Sequence, residues 1–466
     1  MLVNKVFNNV IFQSITFGIR AISDFIVIVL IGKMAGISNL GIYSFAISFS
    51  LVSRLMLDLG FGMYLVREIS KNKESVNKYI VNTLCILLIA GPLLLIITSV
   101  TAYLTISDPL KINAVILCVL GVFFISISAT FQTSFIAFQK MQYQTFVVFF
   151  QESLFLSGVF LALYLNFQFL YIFYIYLISR LVSMIIAGTI YNYKIKKFIL
   201  FFEKKAIFVL LREVSPFIIN LVFTAICARC SIIFISYALG DESVGLFEVG
   251  VALTLKGVII SQIVSKSFFP KLAELYRKSN IIDFEKLCQK VLRILIIISM
   301  PVSIFLFFYS TEIVTLFFGY ENFNKSIILV KIMSVALFFK LLGIGIADIL
   351  TVSDNQKFRT ISVGFGAIIN LLFLYFLIPL LGIKGGAVSM LATEFTIFSC
   401  FLFFSAYKIK IFFLKNLLFG FFSIAPSLMI LCFLDIKPLF SIILFILSYG
   451  IMLIIAKSNN IKIINN

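Results

Sequence analysis

The feature that most constrains this sequence is a succession of apolar runs of about twenty residues, each ended by charged residues, glycine or proline. A helix that crosses the hydrocarbon core of a bilayer needs about 20 apolar residues, so each run predicts one membrane span. The chain of 466 residues contains fourteen such runs, joined by short connectors. Their approximate centres are residues 21, 52, 91, 124, 155, 180, 227, 256, 299, 340, 370, 396, 424 and 447.

Composition excludes the main alternatives. Hydrophobic residues make up 62% of the chain and charged residues 12%, whereas soluble domains carry about 25% charged residues. The 56 Phe exclude a disordered chain, because disorder requires low hydrophobicity. The chain has no His, the commonest metal ligand and general base. Cys227 and Cys230 form a C-x-x-C motif without a second thiol pair nearby, so we predict no metal site, no cofactor and no enzymatic activity.

The basic residues predict an orientation. If the N-terminus is cytoplasmic and the spans alternate, 25 Lys and Arg fall on the cytoplasmic side and five fall outside. This distribution follows the positive-inside rule, so it favours an even number of spans with both termini in the cytoplasm. The concentration of basic residues in cytoplasmic connectors also accounts for the net charge of +18, so this charge does not require a nucleic-acid partner. The five outer residues are Lys33, Lys111, Lys325, Lys384 and Lys437.

A repeated glycine pattern predicts an internal duplication of the chain. The pattern Gly36-x4-Gly41 between spans 1 and 2 recurs as Gly240-x4-Gly245 between spans 7 and 8, and an aromatic residue follows each pattern at the same distance. The offset of 204 residues corresponds to six helices, so both halves have the same orientation in the membrane. Repeats of this kind form parallel bundles related by an axis along the membrane normal.

The predicted fold is therefore an all-α polytopic membrane protein with about 14 transmembrane helices. Two parallel six-helix bundles surround a central cavity, and a helix hairpin follows them. The predicted segments are the N-terminal bundle 1–195, a cytoplasmic basic linker 196–213, the C-terminal bundle 214–410, and the hairpin with a short cytoplasmic tail 411–466.

The predicted spans contain about fourteen ionisable residues, and such residues usually face a bundle interior or a water-filled cavity. Arg20 with Asp24, and Arg54 with Asp58, are i,i+4 neighbours that can neutralise each other on one helical face. Eight bases outnumber six acids in the spans, so complete pairing leaves a positive surplus. A positive interior suits an anion, because arginine can bind a phosphate through two hydrogen bonds.

Four bases that lie near the middle of their spans have no acidic residue three or four positions away on their own helix: Arg180, Arg229, Lys256 and Lys340. Each requires an acidic partner from another helix, a hydrated lumen or an anionic substrate, and the sequence leaves these alternatives open. We predict that a cationic cavity is formed by Arg20, Arg54, Arg180, Arg229, Lys256 and Lys340, with Arg180 and Arg229 as the leading candidates.

Several motifs resemble bacterial polysaccharide translocases of the O-antigen flippase family. The resemblance begins at Gly41-Ile-Tyr-Ser-Phe-Ala and Asp58-Leu-Gly-Phe-Gly, continues at Leu239-Gly-Asp-Glu-Ser-Val-Gly-Leu-Phe, and is clearest in the segment 370–387. It covers most of residues 5–410. One departure is Arg229-Cys230, where the family often has an Arg-Asp pair, and this departure weakens an acidic coupling role at that position.

The resemblance implies the cargo and the compartment. Such proteins flip an undecaprenyl-diphosphate-linked oligosaccharide, for example the O-antigen repeat unit of lipopolysaccharide, across the bacterial inner membrane by alternating access. Implied partners are this lipid-linked glycan, membrane lipids, an O-antigen polymerase and a chain-length regulator. Proton or sodium coupling would fall on Asp24, Glu152 or Glu394.

Two rival functions remain. A cation-coupled multidrug exporter has the same fold, but cationic drugs require acidic cavity walls, and the basic surplus disfavours them. An O-antigen polymerase is also polytopic, but such enzymes carry a large external loop, whereas the external connectors here are short.

Overall fold

The computed structural model describes residues 2–58, 60–199 and 204–409, and the regular structure in these residues is helical throughout. Fifteen α-helices are present in this part of the chain, with a 3-10 turn at Lys73–Ser75 and a π turn at Tyr191–Ile195. The predicted spans centred at residues 424 and 447 lie outside the described residues.

The helices are α1 (Leu2–Met34), α2 (Ile37–Asp58), α3 (Phe61–Lys71), α4 (Val76–Thr105), α5 (Pro109–Ala137), α6 (Met141–Tyr164), α7 (Tyr171–Ile190), α8 (Lys204–Leu239), α9 (Asp241–Leu255), α10 (Val258–Arg277), α11 (Ile281–Phe308), α12 (Ser310–Phe318), α13 (Tyr320–Val352), α14 (Gln356–Leu381) and α15 (Ile383–Ile409).

Ten helices of the described part are long and apolar enough to cross a membrane. They are α1, α4 to α8, α11 and α13 to α15. This confirms a multi-pass, all-helical membrane protein, while the total of fourteen spans stays a prediction.

The predicted span centred at residue 256 is two helices. Helix α9 ends at Leu255 and α10 begins at Val258. The N–H of Gly257 donates to the carbonyl oxygen of Thr254 at 3.2 Å, an i→i−3 bond that tightens and ends α9. Glycine is a poor helix former, so its presence at this position favours the break.

A similar break follows the predicted span centred at residue 52. Helix α2 ends at Asp58 and α3 begins at Phe61. The intervening Gly60 has φ of +84°, in the left-handed region that favours glycine. The second predicted span of the first half is therefore followed by a separate helix, whereas the second predicted span of the second half is itself divided into two helices.

The two glycine motifs have the same structural role. Gly36 and Gly240 follow the last residues of α1 and α8, with φ of +89° and +82°. Glycine after a helix end is favoured because the left-handed conformation carries no Cβ penalty there. Each first glycine thus permits the tight turn into the next helix.

The second glycine of each motif permits a close main-chain contact between the first turns of α2 and α9. A Cβ at Gly41 would overlap the carbonyl oxygen of Asp241, and a Cβ at Gly245 would overlap that of Ile37. The contact is reciprocal, so the two copies of the glycine motif pack against each other. Lys111 of α5, predicted in an outer connector, is 8% exposed and forms an ion pair with Asp241.

The chain divides into two compact units. The first unit comprises residues 1–252 and 374–386, and the second comprises residues 253–373 and the chain from residue 387. In the first unit α5 packs against α2, α4 and α7, and in the second unit α13 packs against α10, α11 and α12. The fourth predicted span of each half is therefore the central helix of its unit. The segment boundaries derived from the repeat stay a prediction, since this division follows packing and not sequence similarity.

Candidate functional site

A buried ion pair lies in the first unit between α6 and α7. Nη1 of Arg180 is 2.8 Å from Oε1 of Glu152, and the two side chains are 6% and 4% exposed. Nε2 of Gln151 also donates to Oε1 of Glu152 at 2.6 Å, and Oγ of Ser23 donates to Oε2 at 3.4 Å. A buried carboxylate is tolerated when several donors compensate its charge, so Glu152 meets the requirement for an ionised group.

Aromatic rings hold the guanidinium of Arg180 in place. Its Cζ lies 4.5 Å from the ring centroid of Tyr176 and 5.3 Å from that of Phe155. Cation–π contacts at these distances add to the stability of a desolvated guanidinium. The tertiary pairing that the sequence left open is therefore the arrangement observed for Arg180. Its place in a substrate cavity stays a proposal.

Two further arginines surround this pair. Arg20 on α1 interacts electrostatically with Glu152, Arg54, Arg180 and Asp24, so these five side chains belong to one cluster. The side chain of Arg20 is partly exposed, and that of Asp24 is exposed.

The i,i+4 pair predicted on α2 is present. Nε of Arg54 lies 2.7 Å from Oδ2 of Asp58, and the two side chains are 28% and 33% exposed. Oγ of Ser126 on α5 donates to Oδ1 of Asp58 at 2.8 Å. This pair is more accessible than the Arg180–Glu152 pair, so solvent or a ligand can reach it. We call Arg20, Asp24, Arg54, Asp58, Glu152 and Arg180 the arginine cluster.

The arginine cluster contains three bases and three acids, so it is balanced when all six groups are charged. Arg229 on α8 adds one more guanidinium in the same unit. Its Nη1 lies 3.5 Å from Oγ of Ser48 on α2, a weak contact with an uncharged group. Glu248 on α9 is also in this unit, so the ionisable residues of its predicted spans are four bases and four acids, and the predicted positive surplus lies in the second unit.

The second unit contains the other predicted site residues. Nζ of Lys340 on α13 forms an ion pair with Oε1 of Glu394 on α15, with exposed side-chain fractions of 27% and 8%. Lys256 lies at the break between α9 and α10 and is partly exposed. The structure thus brings Arg20, Arg54 and Arg180 together, and it places Lys340 and Glu394 in a separate pair.

The second unit repeats one polar contact with its partners exchanged. Oγ of Ser265 on α10 donates to Oδ2 of Asp348 on α13 at 2.6 Å. In the first unit the acid, Asp58, is on α2 and the hydroxyl, Ser126, is on α5. In each half an acid and a serine therefore link the broken pair of helices, α2 and α3 or α9 and α10, to the central helix, and the acid lies on opposite sides of the two contacts.

The uncharged partners of the cluster were not predicted from the sequence. Gln151, Ser23 and Ser126 each bind a carboxylate, and Tyr176 packs against a guanidinium. The available signal was a polar residue inside an apolar run, beside or near a charged one. Among the described residues, no group of three or more Cys, Asp and Glu side chains is arranged to hold a metal ion.

Family and sequence comparisons agree with the resemblance found in the motifs. A family model described as "Polysaccharide biosynthesis protein" matches residues 6–276. A model described as "Lipid II flippase MurJ" matches residues 249–457. The capsular polysaccharide biosynthesis protein CapF of Staphylococcus aureus is 32% identical over 158 residues, which are 34% of this chain. The match spans only 39% of the length of CapF.

Solved transporters have a similar fold. The lipid II flippase MurJ in an inward closed conformation superimposes with a TM-score of 0.80 at 18% identity, over 97% of this chain and 99% of that chain. A multidrug resistance MATE family transporter of the MOP superfamily, in its inward-facing conformation, gives a TM-score of 0.72 at 14% identity. That match covers 83% of this chain and 94% of the transporter. At these identities the likeness concerns the fold alone.

Proposed function

We propose that this chain, which belongs to the polysaccharide biosynthesis protein family, moves a lipid-linked oligosaccharide from the cytoplasmic leaflet to the outer leaflet of a bacterial inner membrane. The observation that carries the proposal is the family match over residues 6–276, more than half of the chain. The fold it shares with a lipid II flippase supports the same conclusion. The cargo we propose is an undecaprenyl-diphosphate-linked repeat unit of an O-antigen or similar glycan.

Physical chemistry explains why such a cargo needs a protein. Transfer of one hydroxyl from water to hydrocarbon costs about 4–8 kcal/mol, and an ionised phosphate costs far more. An oligosaccharide with a diphosphate therefore does not cross a bilayer unaided at a useful rate. A polar, cationic route through a helical protein lowers this cost, while the isoprenoid tail stays in the lipid. Outward movement of negative charge also gains about 2.3 kcal/mol per charge per 100 mV when the cytoplasm is negative.

The arginine cluster, together with Arg229, is the proposed binding site for the diphosphate. Arg20, Arg54 and Arg229 are partly exposed, so they are the groups that a phosphate can reach. Arg180 is buried and paired with Glu152, and we propose that this pair positions Arg20. Coupling to a proton or sodium ion at Asp24, Glu152 or Glu394, and a contribution of Lys256 and Lys340 to the cavity, stay predictions.

The arrangement in the membrane belongs to the same proposal. Fourteen spans with both termini in the cytoplasm place 25 basic connector and terminal residues inside and five outside. We propose alternating access, with the cargo entering from the cytoplasmic side. Association with a polymerase and a chain-length regulator is proposed on the same grounds as the cargo.

A neutralisation experiment tests the site. The double variant Arg54→Gln with Arg229→Gln is expressed in a strain that lacks the native gene, and lipid-linked repeat units are quantified. A charge-assisted hydrogen bond contributes about 1.5–3 kcal/mol, so we expect a loss of export of about 10- to 100-fold per arginine. The matched control is Arg277→Gln, which removes an exposed guanidinium outside the cluster. Intact export by the double variant at normal protein levels contradicts the site.

The second candidate function is export of cationic drugs, favoured by the fold of the MATE transporter. A cationic drug requires a net negative site, whereas the arginine cluster is balanced. Efflux of a cationic dye from cells that express the chain decides between the two functions. Efflux without any effect on lipid-linked glycans would replace the first proposal with the second.

A further inference from the structure

A dense set of basic side chains lies at one end of the first unit. It gathers the end of α3, the start of α4, the turn between α5 and α6, and the segment that follows α7. Glu68 and Glu74 are the two acids of these segments, against eight bases. We call this surface the basic face, and its members are Arg67, Lys71, Lys73, Lys78, Lys140, Lys194, Lys196 and Lys197.

The segment after α7 is fixed to its neighbours by hydrogen bonds to its main chain. Nζ of Lys140 donates to the carbonyl oxygen of Lys194 at 3.0 Å, and Nδ2 of Asn77 donates to that of Lys197 at 2.8 Å. Nζ of Lys196 donates in turn to the carbonyl oxygen of Glu74 at 2.6 Å. These carbonyl oxygens would otherwise repel an anion, so their pairing leaves a surface dominated by donors.

The acids of the basic face do little to cancel its charge. Oε1 of Glu68 lies 2.8 Å from both Lys71 Nζ and Arg67 Nε. The hydrogen bond from Lys71 is the main cause that lowers the pKa of Glu68 below its ordinary value, and Arg67 adds to it. Glu68 therefore stays ionised and satisfies part of the charge of two bases, while Lys73, Lys194 and Lys197 remain exposed.

The surroundings of the basic face are those of a membrane interface. The apolar span Lys73–Thr105 begins there and the span Tyr171–Ile195 ends there. Tyr193 and Ile199, beside the lysines, are 82% and 59% exposed. Tyrosine is enriched at the headgroup level of membranes, and long basic side chains reach from that level toward phosphates.

We propose that the basic face binds the headgroups of anionic phospholipids in the cytoplasmic leaflet. This inference rests on the proposed orientation, which places these segments in the cytoplasm. Charge complementarity identifies the partner, because eight bases and two acids face the level at which lipid phosphates lie. Each Lys or Arg near an anionic membrane surface strengthens binding about fivefold. The spread of the lysines over four segments, with apolar side chains between them, fits a lipid surface rather than one soluble phosphate.

Lipid titration of the purified full-length protein in detergent tests the proposal. Native mass spectrometry measures the affinity for phosphatidylglycerol and for phosphatidylcholine with the same acyl chains. The triple variant Lys73→Gln, Lys194→Gln, Lys197→Gln keeps Lys140 and Lys196, which hold the main chain. We expect it to bind phosphatidylglycerol roughly 100-fold more weakly, at about fivefold per lysine, with phosphatidylcholine binding unchanged.

A matched control removes three exposed lysines from the second unit, in Lys278→Gln, Lys286→Gln, Lys290→Gln. Its preference for phosphatidylglycerol is expected to match that of the unmodified protein. Equal losses in both variants would show a general charge effect and overturn the assignment.

One further measurement distinguishes a lipid headgroup from a soluble phosphate, and a milder variant keeps the test valid if the triple variant does not fold. If inorganic phosphate displaces phosphatidylglycerol at millimolar concentration, the face is a site for a soluble anion and the lipid proposal is wrong. The milder variant Lys194→Gln with Lys197→Gln is expected to lose about 25-fold, and no loss contradicts the proposal even where the triple variant does not fold. None of these measurements requires glycan transport or a defined orientation, so their failure is distinct from failure of the proposed function.

Discussion

Removal of one partner of the Arg180–Glu152 pair is expected to destabilise the protein far more than removal of both. The two charged groups are 2.8 Å apart and no more than 6% exposed. Arg180→Met leaves the carboxylate of Glu152 buried, with Gln151 and Ser23 as its donors. Glu152→Met leaves a guanidinium buried against two aromatic rings. The double variant leaves neither charge.

The magnitude follows from the burial. Loss of one member of a buried ion pair costs about 3–5 kcal/mol, because the other charge is left uncompensated. Replacement of both members by apolar side chains of similar size is often neutral or stabilising. We therefore expect each single variant to lower the free energy of unfolding by about 3–5 kcal/mol, and the double variant to lie within about 1 kcal/mol of the unmodified protein.

A double-mutant cycle in detergent, read by thermal unfolding of the purified variants, measures this coupling. The matched control is the cycle Arg54→Met with Asp58→Met, whose side chains are 28% and 33% exposed. Exposed pairs contribute about 0.2–1 kcal/mol, so that cycle should show weak coupling. Additive effects at Arg180 and Glu152, or equal coupling in both cycles, would refute the argument from burial.

Three other changes give distinct results. Gly41→Ala would force a Cβ onto the carbonyl oxygen of Asp241, so we expect thermal unfolding to show a free energy of unfolding lower by about 1–3 kcal/mol or more. The control Gly62→Ala, with no atom within 4 Å of its Cβ, should be tolerated. Lys111→Met leaves Asp241 without its buried cation and should lower the melting temperature, with Lys111→Met and Asp241→Asn together recovering part of the loss. Two neighbouring lysines lower the pKa of Glu274 to about 2. The contribution of Glu274 to stability is therefore present above pH 4 and is lost as the pH falls toward 2. The variant Glu274→Gln should lack this part of the acid dependence of the melting temperature.

Local features of the sequence predicted local features of the structure. The run of apolar residues fixes where a helix lies, because a helix crossing a membrane must be apolar over its length. The Arg54–Asp58 contact could be predicted for the same reason, since residues four apart share one helical face. The break at Lys256 and Gly257 was missed, because a single glycine is tolerated inside many membrane helices and its effect depends on the packing around it.

Contacts between helices could not be predicted in the same way. Arg180 and Glu152 are 28 residues apart on α7 and α6, and Lys340 and Glu394 are 54 apart on α13 and α15. The sequence shows the angle of each side chain around its own helix, but not the rotation of that helix against its neighbours. For this reason tertiary pairing and substrate binding are both compatible with the sequence around these bases.

The charge balance of the arginine cluster limits how it would bind a diphosphate in the proposed function. Three guanidiniums and three carboxylates cancel, so the empty cluster costs less to hold in a low-dielectric interior than three uncompensated arginines would. An arriving diphosphate must then compete with the carboxylates. The Arg54–Asp58 pair is the easier one to open, because both side chains are about one-third exposed, while the Arg180–Glu152 pair is closed to solvent and keeps its geometry. Binding therefore exchanges an internal ion pair for one with the cargo, and the reverse exchange releases the cargo on the other side. A site built from arginines without acidic partners would bind the diphosphate more tightly and release it more slowly.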